Sequence, residues 1–336
     1  MAITLVRRRT EDTGLRPLKP SRDMFGVADL IEEAFAGEFD RSGRNALREM
    51  RWVGRWGFLL LWVDLFASDV NTNLNGFVWT DRGKIVGNTT ISRNTADSKQ
   101  WFVSNVAVTK SYQGRGIARQ LMEAAIEYAK ELRGKSVNLY VQRGNKAAIH
   151  LYQSMGFKYI SATSLLYLPR VKAVETLPLP QGLNWRNHNL DDKDANAAYQ
   201  LAKAVTPLNV QRERPLYLNQ FHKGAEVSFD NFWRGMFGLG TARHWVIEDE
   251  PGQFAAMMSV EPGLWNSKHK LRLMVHPDWW GDLEAPLISA GLAHLKTCLR
   301  RPVSFQHPDE HAPAIEAYQR LGFKILRTHL WMKLVF

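Results

Sequence analysis

The sequence predicts a mixed α/β (α+β) protein of two tandem domains that share one fold, each a mixed, mostly antiparallel sheet flanked by helices. Three observations carry this. The chain has 336 residues, more than the roughly 100 to 200 of an ordinary domain. Both halves interleave period-two apolar runs with segments of helical spacing. The halves also repeat: HLYQSMGFKYI at residues 150–160 matches EAYQRLGFKIL at 316–326 at an offset of 166, and the strand-like run ending at Val108 matches LRLMV ending at Val275 at an offset of 167. A period this long means two duplicated domains and not a solenoid of short units.

In the first half a short strand is expected at residues 3–8 and an amphipathic helix within 23–39. The arginine-studded apolar segment 45–66 reads as another helix, which packs its apolar side. Strand-like runs follow at 76–80, 84–92 and 100–109, separated by turn formers such as Asp81, Arg82 and Gly83. A helix comes next, with Ile117, Leu121, Ala125, Tyr128 and Leu132 on its apolar face at spacings of three and four. A strand at 136–142, a short helix at 146–155 and a final strand pair reaching Leu168 complete the half. The second half repeats the plan, with strands at 244–248, 253–260 and 270–275. The run 171–182 (VKAVETLPLPQG) holds Pro178 and Pro180 and has no amphipathic period, so it is the expected linker between domains at 1–170 and 183–336.

Composition narrows the class. At 45% hydrophobic and 23% charged residues the chain is globular. Its longest apolar run, residues 57–63, is far short of the roughly 20 a membrane span needs. Residues 1–10 lack the apolar core of a secretory signal. The single cysteine, Cys298, excludes an intrachain disulfide and agrees with a reducing cytoplasm. Net charge is +11, unevenly placed: residues 1–170 hold 25 basic and 16 acidic side chains, a net +9. The first half should therefore attract an anion. No basic tail or basic–aromatic alternation accompanies that charge, so neither a nucleic acid nor a membrane is expected as partner.

The most informative segment is VSNVAVTKSYQGRGIA at 103–118, a strand that runs into a glycine-rich turn opening a helix. The first N–H groups of a helix lack intrahelical partners and the macrodipole makes that end positive, so an anion is stabilised there. Gly114 and Gly116 offer close approach to the backbone, while Arg115 and Arg119 can add charge-assisted hydrogen bonds.

This segment resembles the GCN5-related N-acetyltransferase (GNAT) superfamily. Its acyl-CoA motif is matched at every fixed position by Gln113, Gly114, Arg115, Gly116, Ile117 and Ala118. The family's second signature, an Asn after the next strand and then a helix with Ala, Tyr and a closing Gly-Phe, is met by Asn145, Ala148, Tyr152, Gly156 and Phe157. The resemblance implies a sheet splayed between its fourth and fifth strands, with backbone groups of Val106, Ala107 and Val108 on the pantetheine arm of one acetyl-CoA per chain. It implies that the N–H groups from Gly114 to Ala118, with Arg119, hold the pyrophosphate, and that Asn145 bonds the cofactor arm. Tyr152 would be the general acid and also touch the cofactor, and the backbone N–H of Val106 would meet the oxyanion.

Acyl transfer to an amine needs a neutral amine. With a pKa of about 10.4 only roughly one lysine-like amine in 2500 is neutral at pH 7, a cost of about 4.6 kcal/mol. In this family a strand Glu or a water relay often acts as base, but the strand WFVSNVAV has no carboxylate. Ser104 and Asn105 are candidates to hold a water, and the base stays unassigned. Tyr152, protonated at neutral pH, is suited to donate to the departing sulfur. His150 points elsewhere on the helix and reads as solvated. No His, Cys, Asp or Glu spacing suggests a metal.

The second half departs from the motif. Trp280, Asp282, Leu283 and Ala285 stand opposite Gln113, Arg115, Gly116 and Ala118. Asp282 is expected to repel phosphate and Leu283 to occupy the space the backbone must yield, so this domain is expected to bind no CoA. Trp233, Trp245, Trp265, Trp279 and Trp280 are candidates to line a cleft or to fill a core. The expected activity is N-acetylation of a primary amine on a small molecule or peptide. The alternatives are a non-catalytic acyl-CoA sensor, a longer acyl donor or a hydroxyl acceptor. The acceptor and the oligomeric state are not legible.

Overall fold

The computed structural model describes residues 13–34, 75–93, 98–189, 191–221, 242–263 and 267–336. The strand expected at 3–8, the helix at 45–66, Trp233 and Trp265 lie outside the described residues. The first half runs β1 (Gly14–Pro17), α1 (Pro20–Ala34), β2 (Asn75–Asp81), β3 (Lys84–Arg93), β4 (Gln100–Val108), α2 (Ile117–Glu131), β5 (Ser136–Gln142), α3 (Lys146–Ser154) and β6 (Lys158–Leu168). The second runs β7 (Trp185–Asn187), α4 (Asp192–Val205), α5 (Leu208–Glu213), β8 (Arg243–Glu250), β9 (Gln253–Glu261), β10 (Lys270–Val275), α6 (Glu284–Lys296), β11 (Val303–Pro308), α7 (Ala312–Arg320) and β12 (Lys324–Val335). The order recurs with one added short helix, α5. The strand pair expected before Leu168 is a single eleven-residue strand, β6.

Packing divides the chain into two compact units that interleave in sequence. One comprises Met1–Val141, Lys146–Tyr159 and Met332–Phe336; the other comprises Gln142–Asn145 and Ile160–Trp331. In the first unit β1, β2, β3, β4 and β5 lie in that order and the end of β12 follows β5. The Phe336 N–H donates to the Lys135 carbonyl there (3.2 Å). In the second unit β7 to β10 form an antiparallel sheet, and β6 lies between β12 and β11. The expected linker has no regular secondary structure, yet Val171 is buried and Val174, Leu179 and Leu183 pack on the second unit's core.

Each unit fixes its first strand to its first helix by the same device. Arg16 grips Asp23 through two bonds (2.6 and 2.8 Å), and the Lys19 N–H adds a third at 2.8 Å. Arg186 grips Asp194 through two bonds of 2.7 Å, and the Asn189 N–H donates to it at 2.6 Å. Burial alone would raise both carboxyl pKa values; the arginine fork and the backbone donor hold both below the usual carboxylate range. Bidentate Arg–carboxylate pairs are among the stronger charge-assisted bonds.

Helix α2 buries Ile117, Leu121, Met122, Ala125, Ile126 and Ala129. Tyr128 sits edge-on to Trp101 (5.6 Å) and Phe77 (6.1 Å). Leu132, expected on the buried face, is 45% exposed because the helix has ended at Glu131. Gly87 on β3 lets α2 approach: a Cβ there would lie 2.9 Å from Ile117 and 3.0 Å from Leu121.

Candidate active site

The site is built on β4. Strands β4 and β5 are parallel and in register from Gln100 opposite Ser136 to Val103 opposite Leu139, where the ladder stops. On its other edge β4 pairs with β3, Ser104 facing Thr90 and Ala107 facing Asn88, so β4 spends three steps where β3 spends two. The extra residue is a β-bulge, and Asn105 within it holds a left-handed φ of +52°. Asn tolerates that conformation better than a branched residue does. Around it, Asn88 donates to the Asn105 carbonyl (3.0 Å), Asn105 to Thr90 Oγ1 (3.2 Å), and the Thr90 and Ser104 hydroxyls share a bond (2.8 Å). Beyond Val103, β4 continues through the bulge to Val108 without a partner in β5 among the described residues, Val106 included, so the ladder ends where the splay between the fourth and fifth strands is expected.

Past Val108 the chain makes a 3₁₀ turn at Lys110–Tyr112 and enters the glycine turn. Gly114 and Gly116 both have φ of +76°, which side-chain-bearing residues rarely adopt, and a Cβ on either would meet open space. Gly116 caps α2 with no side-chain bond. The first intrahelical bond is from the Gln120 N–H to the Gly116 carbonyl (3.1 Å), which leaves the N–H groups of Ile117, Ala118 and Arg119 uncapped among the described residues. Gln113 turns back and donates to the Val108 carbonyl (3.1 Å), so its side chain braces the turn. Arg115 donates to the Ser111 carbonyl (3.0 Å) and lies over the Tyr112 ring. The Tyr112 hydroxyl bonds Asp81 (2.6 Å) and ties the turn to the end of β2. Exposed N–H donors, a helix dipole and two cations suit a diphosphate, and an unpaired strand edge suits an extended amide arm.

Arg119 reaches Ser154 on α3 (2.6 Å), joining the start of α2 to the helix that carries Tyr152. Tyr152 is 6% exposed, and its ring lies against Phe157 at 5.9 Å. Burial raises its pKa to about 12, so the hydroxyl is neutral at any physiological pH. Asn145 is exposed and immediately precedes α3, and His150 is exposed. The sequence reading missed Asn88 and Thr90, the buried polar groups that support the bulge; the signal was the run NTT inside an otherwise apolar strand. Among the described residues no cluster of three or more His, Cys, Asp or Glu is placed to hold a metal ion.

Residues 44–157 match the profile of the acetyltransferase (GNAT) family. That stretch, about a third of the chain, is similar to a GNAT-family domain. Among curated proteins, the chain is 30% identical over 161 residues to a mycothiol acetyltransferase of Renibacterium salmoninarum, covering 46% of this chain and 43% of that one. It is 36% identical over 86 residues to the N-alpha-acetyltransferase RimI of Mycobacterium tuberculosis, covering 25% and 52%. The chain thus spans about half the length of the curated relatives it matches. Its fold is shared from end to end with a GCN5-related N-acetyltransferase from Sphaerobacter thermophilus, with a TM-score of 0.61, 14% identity, and coverage of 96% of this chain and 95% of that one. A tandem GNAT protein from the clavulanic acid biosynthesis pathway is similar at a TM-score of 0.50 and 19% identity, covering 96% and 98%.

The architecture of the first half recurs in the second, but the turn is rebuilt. Helices α3 and α7 end alike: Phe157 and Phe323 each donate to the carbonyl of the tyrosine five residues back (3.0 Å). The Gln113 brace also has a counterpart, since Trp280 Nε1 donates to the Val275 carbonyl (2.9 Å). Strand β10, unlike β4, pairs with β9 without a bulge. Asp282 is exposed, but Leu283 does not fill the mouth of the turn. It has a right-handed φ of −99° and its side chain is fully buried in the core. What fills the anion position is Glu284, at the place of Ile117. Its buried carboxylate accepts from the Gly281 N–H (2.8 Å) and bonds His311 (2.8 Å), which bonds His307 (3.2 Å). His311 stands 166 residues after Asn145, and Trp280 stacks on it at 4.6 Å. The second unit supplies its own anion where the first presents bare N–H groups. Trp245 packs on Trp185 and His294, and Trp279 bonds Asp249, so the described tryptophans among those five are engaged within this unit.

Proposed function

We propose that the first domain is an acetyl-CoA-dependent N-acetyltransferase acting on a primary amine, with one acetyl-CoA per chain. The observation that carries this is the uncapped start of α2 behind two left-handed glycines, reached directly from the bulged end of β4. The N–H groups of Gly114 to Ala118, with Arg115 and Arg119, hold the diphosphate. Val106, Ala107 and Val108 offer their backbone to the amide arm, Asn145 bonds that arm, and Gln113 keeps the turn in shape. Acetyl-CoA supplies the thioester. The Val106 N–H faces the carbonyl oxygen and stabilises negative charge as it develops. Tyr152 donates a hydrogen bond to the departing sulfur. Full proton transfer from a phenol near pKa 12 to a thiolate of about 8.5 would be uphill by roughly 5 kcal/mol. Its acid role is therefore that of a neutral donor, with the amine proton leaving by another route. The two curated relatives point to a small-molecule amine and to a protein N-terminus, and both belong in an acceptor screen.

Calorimetric titration with acetyl-CoA is the test. One site per chain, lost in Gly116→Leu, is the expected result; two sites would contradict the self-capped reading of the second turn, and no binding would remove the proposal. A non-catalytic acyl-CoA sensor is the second reading, favoured by one observation: the polar groups of β4, Ser104 and Asn105, are tied to Thr90 and carry no carboxylate. Turnover of any amine eliminates it.

A further inference from the structure

The second unit contains a cationic pocket that acyl transfer does not use. Its volume is about 290 Å³ and it lies where the end of α6 meets the end of β6. Arg170, Lys296, Arg300 and Arg301 line it, over a floor that includes the buried Val171 and Leu295. None of the four cations forms an ion pair or a hydrogen bond among the described residues. The carbonyl end of α6 accounts for Lys296, which complements the negative pole of the helix. It does not account for Arg300 and Arg301, which lie beyond the last turn, nor for Arg170 from β6's end.

The loop that carries them is held in place. His269, fully buried, donates its main-chain N–H to the Pro302 carbonyl (2.9 Å), and its Nε2 bonds the Leu299 carbonyl (2.9 Å). The Gly263 N–H donates to Nδ1 (2.8 Å), so that nitrogen is the acceptor and Nε2 carries the proton. A loop clamped at both ends around two arginines is preorganised. Like charges gathered round a concavity with no counter-charge repel one another, and a bound anion relieves that repulsion. Arginine forks match phosphate oxygens in pairs.

We propose that this pocket binds a small phosphorylated molecule, its phosphate held by Arg300, Arg301, Arg170 and Lys296 and its apolar part resting on Val171 and Leu295. The reading is independent of the acyltransferase assignment, because every residue in it belongs to the second unit.

The chain's single thiol lies in the pocket wall and serves as reporter. Cys298 is alkylated with the anionic iodoacetate and, separately, with neutral iodoacetamide, and the rate ratio is compared with that of free cysteine. A cationic pocket should raise the ratio about tenfold or more. Inorganic pyrophosphate should protect the thiol, and the double substitution Arg300→Ala/Arg301→Ala should abolish both the preference and the protection. In Gly116→Leu protein the protection should persist, which separates this pocket from the α2 turn. A ratio equal to free cysteine without protection overturns the proposal, as does protection lost in Gly116→Leu or retained in the double variant. Protection by long duplex DNA but not by pyrophosphate would make the patch a nucleic-acid surface and also overturn it. Should the thiol resist both reagents, calorimetry with pyrophosphate on Gly116→Leu protein, with and without the two alanines, decides: equal heats overturn the pocket.

Discussion

Tyr152 and Tyr318 are the same residue of the repeat with different freedoms. The Tyr318 hydroxyl is wholly buried without a hydrogen-bond partner among the described residues, while Tyr152 keeps a sliver of exposure. Replacing Tyr152 by Phe should lower kcat by about a hundredfold and leave the Kd for acetyl-CoA nearly unchanged, as single-turnover kinetics beside calorimetry will show. Its folded pKa of about 12 exceeds the unfolded value near 10. The stability this contributes is therefore complete below pH 10 and is lost as pH rises towards 12. The sum is about 3 kcal/mol, which Tyr152→Phe removes from the alkaline limb of a pH-dependent denaturation series. His307 has the opposite sign. Burial, and then its neighbour His311, lower its pKa to about 3, so the folded state holds it neutral while the unfolded chain protonates it near 6.5. Its contribution is complete above pH 6.5 and is lost as pH falls towards 3. His307→Val, which restores the valine found at position 141 of the first repeat, should flatten acid unfolding over that window.

At the scale of elements the bulge in β4 is a feature of the first sheet that the β9–β10 pairing lacks. Asn105→Val forces a β-branched residue into a left-handed conformation and should cost about 1–3 kcal/mol, whereas Asn105→Gly should keep both the fold and acetyl-CoA affinity; thermal melts with and without acetyl-CoA will separate the two. Strands β2 to β5 and helix α2 were legible because alternation and three-four spacing report burial directly. The glycine turn was legible because its residues are chosen for backbone geometry. The bulge was not, since it consists of one extra residue in a register, and register depends on the neighbouring strand. The Arg16–Asp23 and Arg186–Asp194 clamps escaped notice because each joins a strand to the helix that follows it, so no period within one element relates the partners. The role of Glu284 was hidden too, because nothing in the sequence brings it beside His311, 27 residues on, or places its carboxylate on the Gly281 N–H.

For the whole molecule, duplication has produced two halves that exchange chain. The last five residues, Met332–Phe336, complete the first unit: Met332 is buried, Leu334 lies 3.4 Å from the Cβ position of Gly156, and Lys130 lies over the Phe336 ring. Deleting them should lower the melting temperature and weaken acetyl-CoA binding, although none is proposed to touch it. Met332→Ala alone should cost about 2–5 kcal/mol by chemical denaturation. An isolated 1–170 fragment should fail in the same way. The arrangement also sets a clock. About 190 residues separate the end of β5 from Met332, and synthesis at ~5–20 residues per second takes roughly 10–40 s to cover them. Throughout that interval the first unit is a nascent sheet waiting for the strand that follows β5, so its fold is completed only after the second unit has been made.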